Sequence, residues 1–229
     1  MFDLGGFGAA LVAGTWVTLK ISLAGLVYGL LFGLIGAVSK LSRFSAIRYP
    51  ADILTTIIRG IPELVLVLAV YFGGSVIIND IAAKLGYTHY IEINKFAAGV
   101  LAVGTTFGAY ATEVFRGAIL AVPKGQIEAA RAFGMGGFLI FRRIVLPQVW
   151  RVALPGLGNL FLVLQKNTAL VSVIGLHDLM RNASAAAQFT KRPFTFYMAA
   201  SLIYLAVTTM TMLGTQYGEQ RARRGVKGA

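Results

Sequence analysis

The sequence contains no cysteine. Disulfide frameworks, zinc ribbons and thiol catalysis are therefore excluded. Charge is scarce too: 13% of the 229 residues are Asp, Glu, Lys or Arg, roughly half the usage of a soluble domain. Histidine occurs only as His89 and His177, with no cluster at metal-ligand spacing; both read as solvated residues of outer connections. No G-x-x-x-x-G-K-[ST] run occurs, so the chain does not hold nucleotide phosphates through a P-loop. No catalytic constellation is visible.

What is present is apolar. Hydrophobic residues make up 57% of the chain and mean hydropathy is +0.73. Disorder is excluded, because it needs low hydrophobicity and high charge. So much apolar surface cannot be buried within a single soluble domain of this length, which makes the bilayer the natural solvent. The 27 glycines suit close helix packing in lipid. The net charge of +12 suggests nucleic acid, but the bases sit at the ends of long apolar runs instead of along one amphipathic face. Nucleic acid is not an expected partner.

The runs predict an all-α membrane protein with five transmembrane helices, at 15–38, 52–78, 96–120, 152–175 and 194–217. Each is long enough to cross about 30 Å of hydrocarbon, whereas open sheet edges cannot sit in lipid. Thirteen basic residues fall on one side of these spans and five on the other. The basic side, including Arg221, Arg223, Arg224 and Lys227 of the tail, should be cytoplasmic. The N-terminus is then outside and the C-terminus inside. No stretch resembles an interdomain linker, so residues 1–229 are expected to form a single transmembrane domain, with lipid around it.

Several polar features interrupt the apolar runs. Gly25, Gly29, Gly33 and Ala37 form a smooth stripe, and Gly104, Gly108 and Thr112 form another; packing within the chain is the expected use, a dimer seam the alternative. Arg59-Gly60-Ile61-Pro62-Glu63 breaks the second span, since Pro62 removes a backbone donor. Arg59 and Glu63, four apart, would share a helix face, with Asp52 as a structural partner for Arg59. Glu113 and Arg116 are spaced for an intrahelical ion pair. Lys166, Asn167 and Thr168 form a polar cluster that should face the bundle interior or a cavity. Arg59, Pro62, Glu63, Glu113, Lys166, Asn167 and Thr168 are thus the pathway or gating candidates, each with a bland structural alternative.

The inner loop 123–147 is bracketed by Pro123 and Pro147. Glu128-Ala129-Ala130-Arg131-Ala132 is a strong helix former, and Gly134 suits its C-terminal stop. A short helix with a low, small-residue surface fits a groove on another protein; lying on lipid is the alternative.

Glu128-Ala129-Ala130, Gly134, Ile144 and Leu146-Pro147, at their spacings, resemble the EAA signature of binding-protein-dependent ABC importer permeases. Gly108-Ala109-Tyr110-Ala111-Thr112-Glu113-Val114-Phe115-Arg116-Gly117, Arg59-Gly60-Ile61-Pro62-Glu63-Leu64 and Lys166-Asn167-Thr168-Ala169-Leu170-Val171-Ser172 resemble motifs of the polar amino acid branch. The form around Ala169, with Ala121-Val122-Pro123-Lys124-Gly125, is similar to the histidine, basic amino acid and opine permeases. The resemblance covers nearly the whole chain. It implies the type I ABC importer permease fold and a place in the bacterial inner membrane. It implies a coupling helix carrying Glu128, Ala129, Ala130, Arg131, Phe133 and Gly134, docked on a cytoplasmic ABC ATPase dimer. It also implies a second related permease chain and a periplasmic amino-acid-binding protein. No cofactor or metal belongs to this chain; ATP and Mg would sit on the ATPase. The chain would be a transport subunit, not an enzyme, for a basic amino acid, histidine or an opine. A secondary amino acid transporter would show inverted repeats and embedded coupling-ion groups, which are not visible. A structural membrane anchor would not need the broken second span.

Overall fold

The computed structural model describes residues 5–87 and 89–223; Arg224 and Lys227 of the basic tail lie outside the described residues. All regular structure among the described residues is helical. Helix α1, Gly8–Lys40, runs for 33 residues, about 50 Å at 1.5 Å per residue. Helix α2, Ser45–Gly60, follows a short turn. Pro62 disfavours helical backbone at the residue before it, and Ile61 is extended (φ −90°, ψ 133°). The chain restarts as α3, Glu63–Lys84, which widens to a π turn over Ala69–Gly73.

The second span therefore differs from the sequence expectation. It begins at Glu63 and not at residue 52, and residues 45–60 form a separate helix. The cause is a full stop at Ile61–Pro62, where an interruption within one span was expected.

Helix α4, Lys95–Leu120, is capped by Asn94, whose side chain accepts from Phe96 N at 2.9 Å and Ala97 N at 3.1 Å. Helix α5, Lys124–Ala132, is the short loop helix. Helix α6, Gly137–Ile174, contains a π turn at Phe141–Val145 and tightens to 3-10 geometry from Thr168. The π turn directly precedes Pro147's stretch, where the missing donor and the ring disturb the ladder. Helix α7, Leu179–Thr190, and helix α8, Pro193–Arg223, complete the chain.

Four helices, α1, α3, α6 and α8, are both long and apolar enough to cross a membrane. The expected third span, α4, is about 39 Å long but is not among them. Its composition explains this: α4 is largely buried by its neighbours, and a helix enclosed by helices needs small residues more than strong hydropathy.

The core is the contact of α1 with α4. The two small-residue stripes face each other. A Cβ on Gly29 would lie 2.7 Å from the Gly104 carbonyl oxygen, and one on Gly108 would lie 2.9 Å from that of Gly29. The stripes are internal packing surfaces, and the dimer-seam alternative falls. Helix α6 packs on the other side of α4 through Ala153, Gly156 and Leu157. A second cluster, with Leu11, Leu179, Ala183 and Phe196, joins α1, α7 and α8 at the end of the bundle away from α5.

Candidate functional site

Helix α5 and its cap form the first site. Gly134 adopts the left-handed conformation (φ +74°). Its N–H donates to Arg131 O at 2.9 Å, and Met135 N–H donates to Ala130 O at 3.0 Å. These two bonds are a Schellman stop, which favours glycine at this position. Ala130 is buried beneath the helix, while Glu128, Ala129, Arg131 and Phe133 are exposed. Phe133 is 88% exposed and Phe138 76%, so the loop presents apolar side chains beyond the bundle. Gln148 Nε2 donates to Gln126 Oε1 at 2.6 Å and ties the start of α5 to α6. A shallow groove opens there, lined by Ala129, Phe133, Arg143 and Pro147 among others.

The second site is an ion cluster where α1, α2 and α4 meet. Lys40 ends α1 and is 6% exposed. Its Nζ lies 2.8 Å from Asp52 Oδ1 and also donates to Glu113 Oε1. Arg116 Nη1 reaches Glu113 Oε2 at 3.1 Å, the expected intrahelical pair. Arg59 Nη1 lies 3.4 Å from Glu113 Oε1, with its guanidinium over the Tyr110 ring at 5.6 Å. Two sequence expectations are corrected here. Asp52 forms its ion pair with Lys40, not Arg59. Arg59 and Glu63 do not share a helix face, because the helix ends between them.

The third site is a narrow cleft between α3, α4 and α6, lined by Glu63, Thr106, Phe107, Tyr110, Leu160 and Asn167 with other apolar residues. Glu63, in the first turn of α3, faces the Asn167 side chain across it. Pro62 is exposed at the joint above Glu63. Lys166 is exposed on the chain and forms no ion pair among the described residues. Thr168 is fully buried, donates to Gln165 O at 2.7 Å and does not line this cleft. A carboxylate and an amide in an apolar-walled cleft can orient a small ligand carrying a cationic group. The structure adds Lys40 and Tyr110, which sequence reading missed as site residues; neither carries a local signal, since their partners lie on other helices.

The family model for the binding-protein-dependent transport system inner membrane component matches residues 29–224. The chain belongs to this family. It is a multi-pass inner-membrane permease, a transport subunit rather than an enzyme. It is 45% identical to the nopaline transport system permease of Agrobacterium fabrum, over 97% of this chain and 94% of that one. It is 42% identical to the histidine/lysine/arginine/ornithine transport system permease of Escherichia coli, over 98% of each chain. A solved amino acid ABC transporter with histidines superposes with TM-score 0.81 at 34% identity, covering 96% of the permease and 98% of that chain. The methionine ABC transporter in inward-facing form shares the fold at TM-score 0.73 and 18% identity. The permease thus has the type I ABC importer fold, and an importer of this family works with an ATPase and a substrate-binding protein.

Proposed function

We propose that the permease forms half of a translocation pathway for basic amino acids or opines and is driven by ATP hydrolysis on a separate chain. The observation that carries this reading is the exposed helix α5 with its Gly134 stop. Glu128, Ala129, Ala130, Arg131, Phe133 and Gly134 present a low surface that fits a groove on an ABC ATPase dimer in the cytoplasm, where ATP and Mg are bound. The N-terminus lies outside and the C-terminus inside, with α4 as the fifth crossing. A second, related permease chain supplies the other half of the pathway, and a periplasmic amino-acid-binding protein delivers the ligand.

Alternating access follows from this assembly. ATP closes the ATPase dimer, the paired coupling helices move with it, and the bundle opens outward; hydrolysis resets it. Energy enters as differential contact in the two states. Glu63 and Asn167 line the pathway within the cleft, Pro62 is its joint, and Arg59 and Glu113 brace it from the α5 side. Lys166, exposed at membrane depth on this chain, faces the shared pathway. The relatives' substrates, nopaline and the group histidine, lysine, arginine and ornithine, support a ligand with a cationic group, for which Glu63 is the acceptor.

Purification of the tagged permease in mild detergent, with identification of every co-purifying chain, tests this. An ATPase together with a second permease supports the heterodimeric importer. The permease alone, from membranes that still take up substrate on an ion gradient, overturns it.

A further inference from the structure

Asp178 lies between α6 and α7, outside the spanning helices, yet its relative exposure is 0%. Its Oδ1 accepts from Arg181 N at 2.9 Å and caps α7. Its Oδ2 is buried and has no hydrogen-bond partner. Three other elements close over it. From α1, Thr18 Oγ1 accepts from Leu179 N at 3.2 Å, and Gly14 packs so tightly that a Cβ there would sit 2.7 Å from Asp178 O. From the end of α6 comes Thr168, whose hydroxyl is committed to Gln165 O. From α8 comes Tyr204, whose buried hydroxyl sits beside those of Thr18 and Thr168 and close enough to Asp178 to feel its charge. Asn182 Nδ2, one turn along α7, donates to Ala10 O at 2.8 Å and holds α7 against α1.

The charges around this pocket are one-sided. Arg181, on α7 itself, is the cation acting on Asp178. His177, the preceding residue, is exposed. The facing elements α1, α6 and α8 bring the hydroxyls of Thr18, Thr168 and Tyr204. Backbone N–H groups of Arg181, Asp178 and Met180 at the start of α7 favour the ionised form, but its Oδ2 would be held out of water without a hydrogen-bond partner, and that burial is the larger effect. A neutral carboxyl removes that charge and makes one carboxyl oxygen a donor among the neighbouring hydroxyls.

We propose that Asp178 is a buried proton-binding site: in mild acid its carboxyl carries a proton while α1, α7 and α8 are packed around it, and it releases the proton when the pH rises or when they separate and water enters. Burial pushes the Asp178 carboxyl up to about 6, in the direction this geometry requires. Separation would return it toward 3.8, its ordinary value. The packed arrangement is then favoured by acid, by about ten-fold at pH 5 relative to pH 7. The site depends on packing at this end of the bundle and not on which substrate the permease carries.

The test uses the full-length permease in lipid nanodiscs, titrated from pH 4.5 to 8 by infrared spectroscopy, as wild type, D178N and Y204F. A protonated-carboxyl stretch that titrates near pH 6 and is absent from D178N is the expected result. Asparagine also caps helices, so D178N keeps the α7 start. In Y204F the band's midpoint should move, because the neighbouring hydroxyl is gone. Hydrogen exchange over 179–190, taken as the ratio of wild type to D178N, should rise up to ten-fold from pH 5 to 7. A wild-type band already lost at pH 4.5, or an exchange ratio flat with pH, overturns the proposal.

Discussion

Gly33 of α1 lies against Ala111 of α4 so closely that a methyl group on the glycine would come within 2.8 Å of the Ala111 methyl. Gly33→Val should lower the unfolding free energy by roughly 1–3 kcal/mol, the usual range for overpacking. Gly117, on α4 with open space around it, is the control: Gly117→Ala should leave the melting temperature unchanged or slightly raised. Thermal unfolding in detergent checks both. Equal effects would mean that the α1–α4 contact yields more easily than its geometry indicates.

Lys40 is a buried charge with two carboxylate partners, Asp52 and Glu113. Lys40→Met should destabilise by roughly 1–3 kcal/mol, less than the ~3–5 kcal/mol of a fully buried pair, because the Asp52 side chain is 63% exposed. Arg116→Ala should cost under about 1 kcal/mol, as exposed pairs do. Denaturation of the two variants side by side gives the comparison.

The Gly134 stop should be sensitive to shape. Left-handed backbone costs a residue with a side chain roughly 1–2 kcal/mol, and β-branched residues suffer most. Gly134→Val should therefore weaken ATPase recovery in the pull-down while leaving the melting temperature of the bundle nearly unchanged. Gly134→Asn should keep it, since asparagine tolerates this conformation. Gly134→Asp is expected to insert normally but to separate ATP hydrolysis from uptake; normal uptake would count against the coupling role.

The Asp178 carboxyl sets a pH dependence with a definite sign. Its folded value, about 6, lies above 3.8, so the folded state binds the proton more tightly than the unfolded one. The associated stability is fully present below about pH 4 and is lost as pH rises through 6. Wild type should therefore lose about 1–2 kcal/mol relative to D178N between pH 5 and 7.5. Melting curves of both proteins at the two pH values decide it, and parallel curves would contradict the assignment.

Features carried by local pattern were legible in the sequence. The two small-residue stripes announce a helix contact by their four-residue spacing, and the Ala-rich run with Gly134 announces the α5 stop. Pro62 announced a break, but not that α2 would leave the span entirely, because proline both kinks and terminates helices. Lys40 carries no local signal of its role: its partner Glu113 is 73 positions away, and nothing local encodes that distance. Asp178 gives no local sign of its burial for the same reason. Its burial is made by Gly14, Thr18 and Tyr204, which reach it from the two ends of the chain. Helix α4 was legible as a helix over 96–120 despite its modest hydropathy, since a helix wrapped by its own chain no longer has to satisfy lipid.

The backbone contact between α1 and α4 also divides the permease into a stator and its moving parts. Glycine offers no side chain that can bend aside, so sliding one of these helices along the other would drive carbonyl oxygens such as those of Gly29 and Gly104 across the neighbouring backbone. The pair must travel as one body. Displacement then concentrates where the helices are already interrupted: at Ile61–Pro62, at the wide turns of Ala69–Gly73 and Phe141–Val145, and at Gly175, where α6 ends in left-handed backbone. One joint, Ile61–Pro62, directly precedes Glu63 of the cleft, and another, Phe141–Val145, lines the α5 groove through Arg143 and Ile144, so a push on α5 meets an articulated helix while the central pair stays fixed.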